Sequence, residues 1–166
     1  MRSTAKPMSA NKGLSRSQAR LAAVQALYQM DLAETDLSEV IDEFKTHQLN
    51  PGGEGAAAGG DAEHFARVLQ GVVRLQRDID PMIDHQLATG WRLVRVDAIL
   101  RAILRAGVFE LMERADVPAR VVINEYINVA HSFFSEEEPK VVNGVLDKLA
   151  RRLRASEFDG NGERQT

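Results

Sequence analysis

The sequence predicts an all-α fold. Apolar residues recur every three or four positions in several stretches, which places them on one face of a helix. No segment shows sustained alternation of apolar and polar residues between turn residues, which is the pattern of a half-buried strand. The chain has 166 residues, 44% of them hydrophobic, which is enough for one domain or for two small helical halves.

The first helix is predicted to begin at Ser15. Residues 1–14 contain Pro7 and Gly13 among polar residues, so we expect them to form a flexible basic leader. Ser15 and Gln18 have the spacing of a capping box, a pattern typical of helix starts. The apolar face that follows comprises Leu21, Val24, Leu27, Tyr28 and Leu32.

The second helix is predicted from Asp36 to about His47, and a glycine-rich loop follows it. Residues 50–60 hold five glycines, one proline and three alanines, so we expect a mobile loop that adds nothing to a core. Asp61 is predicted to cap the third helix. Pro81 should break or kink that helix, with a shorter helix after it.

Three more helices are predicted in the second half. The first runs from about residue 95 to 113, the second begins after Pro118, and the last follows the capping-box spacing of Ser135 and Glu138. These elements give two helical halves, 15–88 and 91–155, within one domain of residues 15–155. Residues 156–166 are expected to be a polar C-terminal tail.

The charge of the chain is divided unevenly along its length. Residues 1–30 carry five Lys and Arg and no Asp or Glu, whereas the whole chain has a net charge of −3. Such asymmetry favours an arm that binds a polyanion, although a solvated, disordered tail is the alternative. Arg16 and Arg20 are four residues apart and therefore share one face of the first helix.

The residue types argue against most enzyme chemistry. The chain has no cysteine, which excludes disulfides, thiolate metal sites and cysteine nucleophiles. Its four histidines are far apart, and no glycine loop has the spacing of a phosphate-binding motif. The acidic run 136–138 is interpreted as negative charge at a helix start. The sequence therefore predicts no metal, no cofactor and no enzymatic activity.

The hydrophobic pattern also bears on location. No apolar run approaches the roughly 20 residues that cross a bilayer, and the basic N-terminus lacks the apolar stretch of a secretory signal. We therefore expect a cytoplasmic protein that does not insert into membranes.

Polar residues within the apolar helices are predicted to be structural. A charged group near a core is costly unless it is paired, so Arg105 is expected to bond Glu125 or helix-end carbonyls. A general acid–base pair is the alternative, but no nucleophile lies nearby in the sequence. The predicted structural polar set comprises Arg105, Glu110, Asn124, Glu125 and Asn143.

Three motifs together resemble the NusB antitermination family. The segment RLAAVQALYQMD, residues 20–31, resembles the family's first helix, and LRAILRAGVFEL, residues 100–111, resembles its central helix. The segments VINEYINVAHSF and VVNGVLDKLA are similar to its C-terminal signature. The order and spacing of these motifs match the family from about Ser15 to Arg152.

The resemblance implies a fold of two small helical bundles and a role in transcription. Members bind the boxA element of nascent RNA, typically of ribosomal RNA leaders, together with NusE, a small-subunit ribosomal protein. The complex joins other Nus factors on RNA polymerase and suppresses premature termination. Some members form homodimers that hide the RNA face.

The resemblance also implies RNA-binding residues. The family's arginine-rich start falls on Arg16 and Arg20, with Lys12 upstream, and Ser17 and Gln18 interrupt it here. Tyr28 matches an aromatic position near the RNA, where a ring can stack on an unpaired base; a half-buried core tyrosine is the alternative.

One further implied contact lies in the second half. Lys140 matches a basic position that faces RNA at the start of the last helix. Val141 stands where some members have phenylalanine, so a stacking contact is lost at that position.

Two alternative functions are also consistent with the sequence. Some ribosomal-RNA cytosine methyltransferases carry a NusB-like N-terminal domain, although no Rossmann-type pattern follows here, which favours a free-standing protein. A helical scaffold whose main role is self-association is the second alternative.

Overall fold

The structure, a computed structural model, describes residues 8–53, 55–88 and 91–158, and the side chains from residue 13 onward. Within those ranges it contains helices and turns and no strand, so the all-α prediction is confirmed. The helices are α1 (Met8–Ala33), α2 (Leu37–Thr46), α3 (Ala62–Gln86), α4 (Ala98–Glu113), α5 (Ala119–Phe133) and α6 (Glu137–Leu153), with a 3₁₀ turn at Leu93–Arg95.

The chain divides into two compact units, Met1–Leu69 and Gln70–Thr166. The division lies inside α3, whereas the sequence analysis placed it between residues 88 and 91. A single helix therefore supplies apolar residues to both units.

Two predicted helix starts in the first unit are confirmed. The Asp36 carboxylate accepts hydrogen bonds from the backbone N–H groups of Ser38 and Glu39, at 3.2 and 3.4 Å. Asp61 accepts a hydrogen bond from the His64 N–H at 3.1 Å. Such caps satisfy donors that have no partner within the helix, which is why a short acidic side chain marks these starts.

The predicted start of α1 at Ser15 is wrong. The helix already includes Met8, so the second part of the expected flexible leader is helical, while residues 1–7 lie outside the described residues. The Ser15 hydroxyl donates to the Gly59 carbonyl at 3.0 Å, and the Asp61 N–H donates to the Ser15 carbonyl at 3.0 Å. Ser15 therefore joins α1 to the glycine-rich segment and does not cap a helix.

The glycine-rich segment contributes to the core of the first unit, which corrects the expectation that it adds nothing there. Ala57 is buried, as is Leu49 immediately before the segment. The Gly59 N–H donates to the Leu49 carbonyl at 2.9 Å. A Cβ atom at Gly60 would lie 2.5 Å from the Leu49 side chain, so the small residue permits this close packing. In the same unit the Phe44 and Phe65 rings stack with centroids 5.4 Å apart.

The core of the second unit is formed by α4, α5 and α6, which pack against one another. Glycines allow close approach at two points. A Cβ atom at Gly71 of α3 would lie 1.9 Å from the Phe109 ring, and one at Gly107 of α4 would lie 2.8 Å from Leu146. Protein interiors are close-packed, so neither position has room for a side chain without a shift of its neighbour.

The predicted break at Pro81 does not occur, because α3 continues to Gln86. Proline in a helix interior removes one hydrogen bond and crowds the preceding turn. Ile79 and Ile83, on either side of Pro81, are fully buried. The burial of these two side chains keeps α3 helical through Pro81, although the missing hydrogen bond and the crowding destabilise the helix there.

Two other predicted boundaries shift. The helix expected from residue 95 begins at Ala98, since the Asp97 carboxylate accepts a hydrogen bond from the Ile99 N–H at 2.8 Å. The last helix begins at Glu137, and Ser135 does not cap it. In both cases the helical stripe was recognised correctly and its first residue was not.

The end of the described chain belongs to the second unit and is not simply a tail. Arg154 is buried and donates hydrogen bonds to four backbone carbonyls, those of Glu110, Leu111, Arg114 and Val117, at 2.7 to 3.2 Å. Glu157 accepts hydrogen bonds from Arg154 and from the Ala119 N–H. The expectation that residues 156–166 lie outside the domain is therefore wrong for residues 156–158.

Candidate nucleic-acid interface

The buried polar residues of the second unit form structural pairs. The Arg105 guanidinium makes two hydrogen bonds to the Asp80 carboxylate, each 2.9 Å long. The buried Glu110 carboxylate accepts a hydrogen bond from the Tyr126 hydroxyl, which is fully buried as well. These contacts support structural roles for Arg105 and Glu110, with Asp80 as a partner that the sequence analysis did not name.

The other residues of the predicted structural polar set are more exposed. Asn124 and Asn143 lie at the surface, and Glu125 is half-buried. Each asparagine projects from the exposed side of its helix, so a structural role for the two stays a prediction. Spacing along α5 and α6 could not distinguish the edge of an apolar face from its centre.

The basic residues of α1 differ sharply in exposure. The Arg16 side chain is 23% exposed, and its Nε atom lies 3.8 Å from a carboxylate oxygen of Asp61. Arg20 is only 3% exposed and lies beside the buried Ala19 and Ala23. The side chain of Lys12 lies outside what the structure describes. Burial of Arg20 argues against its direct contact with a phosphate in this conformation.

The remaining predicted contacts lie on different units. Tyr28 of α1 is half-buried, so part of its ring faces solvent in the first unit. Lys140 is exposed on the first turn of α6 in the second unit, and Val141 beside it is half-buried. Both side chains have the exposure that contact with a nucleic acid requires.

An exposed segment before α4 was missed by the sequence analysis. Trp91 and Val94 are 36% and 78% exposed, and Trp91 lines a surface cavity of about 290 Å³ with Arg92 and Arg95. The Arg101 guanidinium holds this segment by hydrogen bonds to three of its carbonyls, at 3.2 to 3.3 Å. No spacing rule singles out these residues, because the segment has no regular period.

Neither a metal-binding group nor a membrane-spanning helix is present in the described part of the chain. No three His, Cys, Asp or Glu side chains there are grouped so that they could hold a metal ion. Among the helices of that part, none is both long and apolar enough to cross a membrane.

The fold and the exposed residues define a class of protein: all-helical, built of two units, with lysines and arginines exposed on helix faces. The model of the NusB family matches residues 17–151. The chain belongs to the NusB family.

Curated relatives agree with that assignment. The transcription antitermination protein NusB of Rhodopseudomonas palustris strain TIE-1 is 50% identical over 153 residues, which cover 92% of this chain and 88% of the relative. The protein of the same name from Nitrobacter hamburgensis is 54% identical over 144 residues, 86% of this chain and 90% of the relative.

Solved structures show the same fold. NusB of T. maritima superposes with a TM-score of 0.72 at 29% identity and covers 87% of this chain and 96% of its own. A chain in the crystal structure of antitermination factors NusB and NusE in complex with double-stranded RNA gives a TM-score of 0.68 at 26% identity. It covers 83% of this chain and 97% of its own.

Proposed function

We propose that this protein is a transcription antitermination factor that binds boxA RNA of ribosomal RNA leader transcripts together with NusE. The observation that carries the proposal is the family match over residues 17–151, with likeness to a solved NusB–NusE complex that contains RNA. In this role the protein binds and positions RNA on RNA polymerase, with other Nus factors, and catalyses no reaction.

Arg16 and Lys140 are the described basic residues that we propose contact phosphates. Both are accessible to solvent, and cationic side chains that neutralise phosphates release counterions, which favours binding most at low salt. Lys12 joins them as a proposed contact from the first turns of α1. Arg20 is buried, so we assign it a supporting position within α1 without direct contact.

Tyr28 is the proposed source of base contact. Sequence-specific recognition of single-stranded RNA commonly uses bases that stack on exposed aromatic rings. The half-buried ring of Tyr28 is held by α1 and leaves part of its surface open. A few basic contacts and one ring give weak binding alone, so a partner such as NusE that adds contact surface raises the affinity of the complex.

The test is fluorescence anisotropy with a labelled boxA RNA, with and without purified NusE, at two salt concentrations. Arg16→Gln should weaken binding and reduce the slope of log affinity against log salt by about 0.7, the value for one phosphate contact of a single strand. Arg67→Gln, at an exposed arginine of α3 in the same unit, is the matched control and should leave both quantities unchanged.

Two results would contradict the proposal. One is that the wild-type protein does not bind boxA RNA even when NusE is present. The other is that the protein sediments as a tight homodimer and does not bind boxA RNA under the same conditions. That result would favour a self-associating scaffold.

A further inference from the structure

The exposed face of α6 carries cations along most of its length. Lys140, Gly144, Lys148 and Arg152 follow one another at intervals of four residues, so they lie on one side of the helix. All four are exposed, whereas the opposite side, which includes Val142, is buried in the second unit. We call these four positions the α6 cationic face.

Its three cations lack acidic partners within the described residues. Lys140, Lys148 and Arg152 take part in no ion pair there, whereas nearby Arg151 pairs with Asp147 at 3.0 Å. Like charges four residues apart on a helix repel, so Lys148 and Arg152 weaken α6 slightly. Arg152 lies in the last turn of α6, where a cation favours the helix dipole, but Lys140 and Lys148 have no such position.

Gly144 lies between these cations and has no packing reason to be glycine. A Cβ atom there would meet no atom of the described residues within 4 Å, in contrast to Gly71 and Gly107, where a Cβ atom would clash with a neighbour. Glycine in a helix interior destabilises the helix relative to alanine. A glycine in open space between cations is explained if another molecule approaches the helix backbone closely at that point.

We propose that the α6 cationic face binds the phosphodiester backbone of single-stranded RNA, with successive phosphates on Lys140, Lys148 and Arg152 and the strand close to the helix at Gly144. The proposal rests on the proposed function and extends it by two cations and a glycine. From Lys140 to Arg152 the helix rises about 18 Å, which is long enough for several phosphates. No large apolar side chain lies among these positions, whereas protein interfaces use apolar or aromatic anchors.

The experiment measures anisotropy of the full-length protein with boxA RNA and with a scrambled RNA of equal length, with and without NusE. At about 150 mM salt, Lys148→Gln and Arg152→Gln should each weaken binding roughly fourfold, and the double variant roughly tenfold or more. Each should lower the salt slope by about 0.7. Because backbone contacts carry no sequence information, the loss should be equal for the two RNAs.

Two further variants make the result specific. Arg77→Gln, at an exposed arginine of α3 in the same unit, is the charge-matched control and should bind as the wild type does. Gly144→Ala should raise the melting temperature, because alanine favours the helix, and should weaken RNA binding, because its methyl group blocks the close approach. If Gly144→Ala instead lowers the melting temperature, Gly144 has a structural role and its assignment to RNA binding is overturned.

The outcomes separate this proposal from the proposed function. If the wild type binds boxA RNA and the Lys148 and Arg152 variants match it in affinity and slope, the α6 assignment is overturned and the proposed function stands. If the variants bind RNA as the wild type does without NusE, but their affinity rises less when NusE is added, the face binds protein and the assignment is again overturned. If the variants bind both RNAs more weakly and the wild type binds boxA RNA no better than the scrambled RNA, the α6 assignment is supported and boxA recognition is contradicted. A wild type that binds neither RNA overturns both.

Discussion

Arg154 should be one of the largest single contributors to the stability of the second unit. It is 8% exposed, and its guanidinium donates to the carbonyls of Glu110, Leu111, Arg114 and Val117. Carbonyls at the end of a helix commonly lack a partner within it, and among the described residues Arg154 is the partner of the Leu111 and Val117 carbonyls, whereas those of Glu110 and Arg114 also accept backbone hydrogen bonds. Arg154 therefore ties the end of α4 to the end of α6, through contacts 37 to 44 residues apart in the chain.

The expected loss follows from the two carbonyls, those of Leu111 and Val117, that depend on Arg154. Arg154→Met keeps most of the side-chain volume and removes every donor. A buried polar group left without a partner costs about 1–3 kcal/mol. The Glu110 and Arg114 carbonyls keep their backbone hydrogen bonds from Arg114 N–H and Val117 N–H, so two carbonyls at the lower end of that range give a loss of about 2 kcal/mol. The ion pair with Glu157 adds little to this figure, because the Glu157 side chain is 35% exposed and solvent screens the pair.

Urea unfolding followed by circular dichroism measures this loss. With a slope of about 2 kcal/mol per molar urea, the midpoint should fall by roughly 1 M. Arg152→Met is the control, because Arg152 is exposed and two residues away, and its change should stay within about 0.5 kcal/mol. A loss below about 1 kcal/mol for Arg154→Met would refute the reasoning and show that water replaces the guanidinium at these carbonyls.

Two further predictions concern pH and packing. Burial alone would raise the pKa of the Glu157 carboxyl, but the hydrogen bond from the Ala119 N–H, and the hydrogen bond and charge of Arg154, together lower that pKa below its usual value. A lowered pKa in the folded state stabilises the fold above the pKa of the unfolded chain, about 4.3 for Glu, and this stabilisation is lost as the pH falls further. The urea midpoint of the wild type should therefore be higher than that of Glu157→Gln at pH 7, and the difference should disappear toward pH 3. A difference that does not change with pH would contradict the lowered pKa of Glu157. Gly71→Ala should destabilise the protein by about 1–3 kcal/mol, because its Cβ atom would lie 1.9 Å from the Phe109 ring, and an unchanged melting temperature would show that the ring moves aside at no cost.

Helix ends set by local chemistry were predicted well from the sequence. Asp36 and Asp61 cap their helices with backbone groups two or three residues away, so a short sequence window contains both donor and acceptor. Ser15 has the same local spacing, but its hydroxyl bonds Gly59, 44 residues away. Such a partner lies outside any local pattern, which is why the predicted start of α1 was wrong.

The candidate RNA contacts divide in a similar way. Spacing places Arg16 and Arg20 on one face of α1, but it does not reveal that Arg20 is buried while part of Arg16 faces solvent. The sequence predicted that Arg105 needs a partner, and the structure shows Asp80, 25 residues earlier on α3, in that position. Burial and pairing depend on which distant segments pack against a helix, and this information is absent from the period of that helix.

The sequence by itself determined the all-helical class, the apolar stripe of each helix and the family resemblance, because helical period and motif order are properties of short stretches. Only the tertiary structure decided that the glycine-rich segment packs into a core, that α3 passes Pro81 without a break, and which lysines and arginines remain at the surface. These outcomes depend on contacts between residues far apart in the chain, whose free energy outweighs local preference. The proposed RNA surface on α6 belongs to this second group, since it depends on cations and a glycine that have no partners among the described residues.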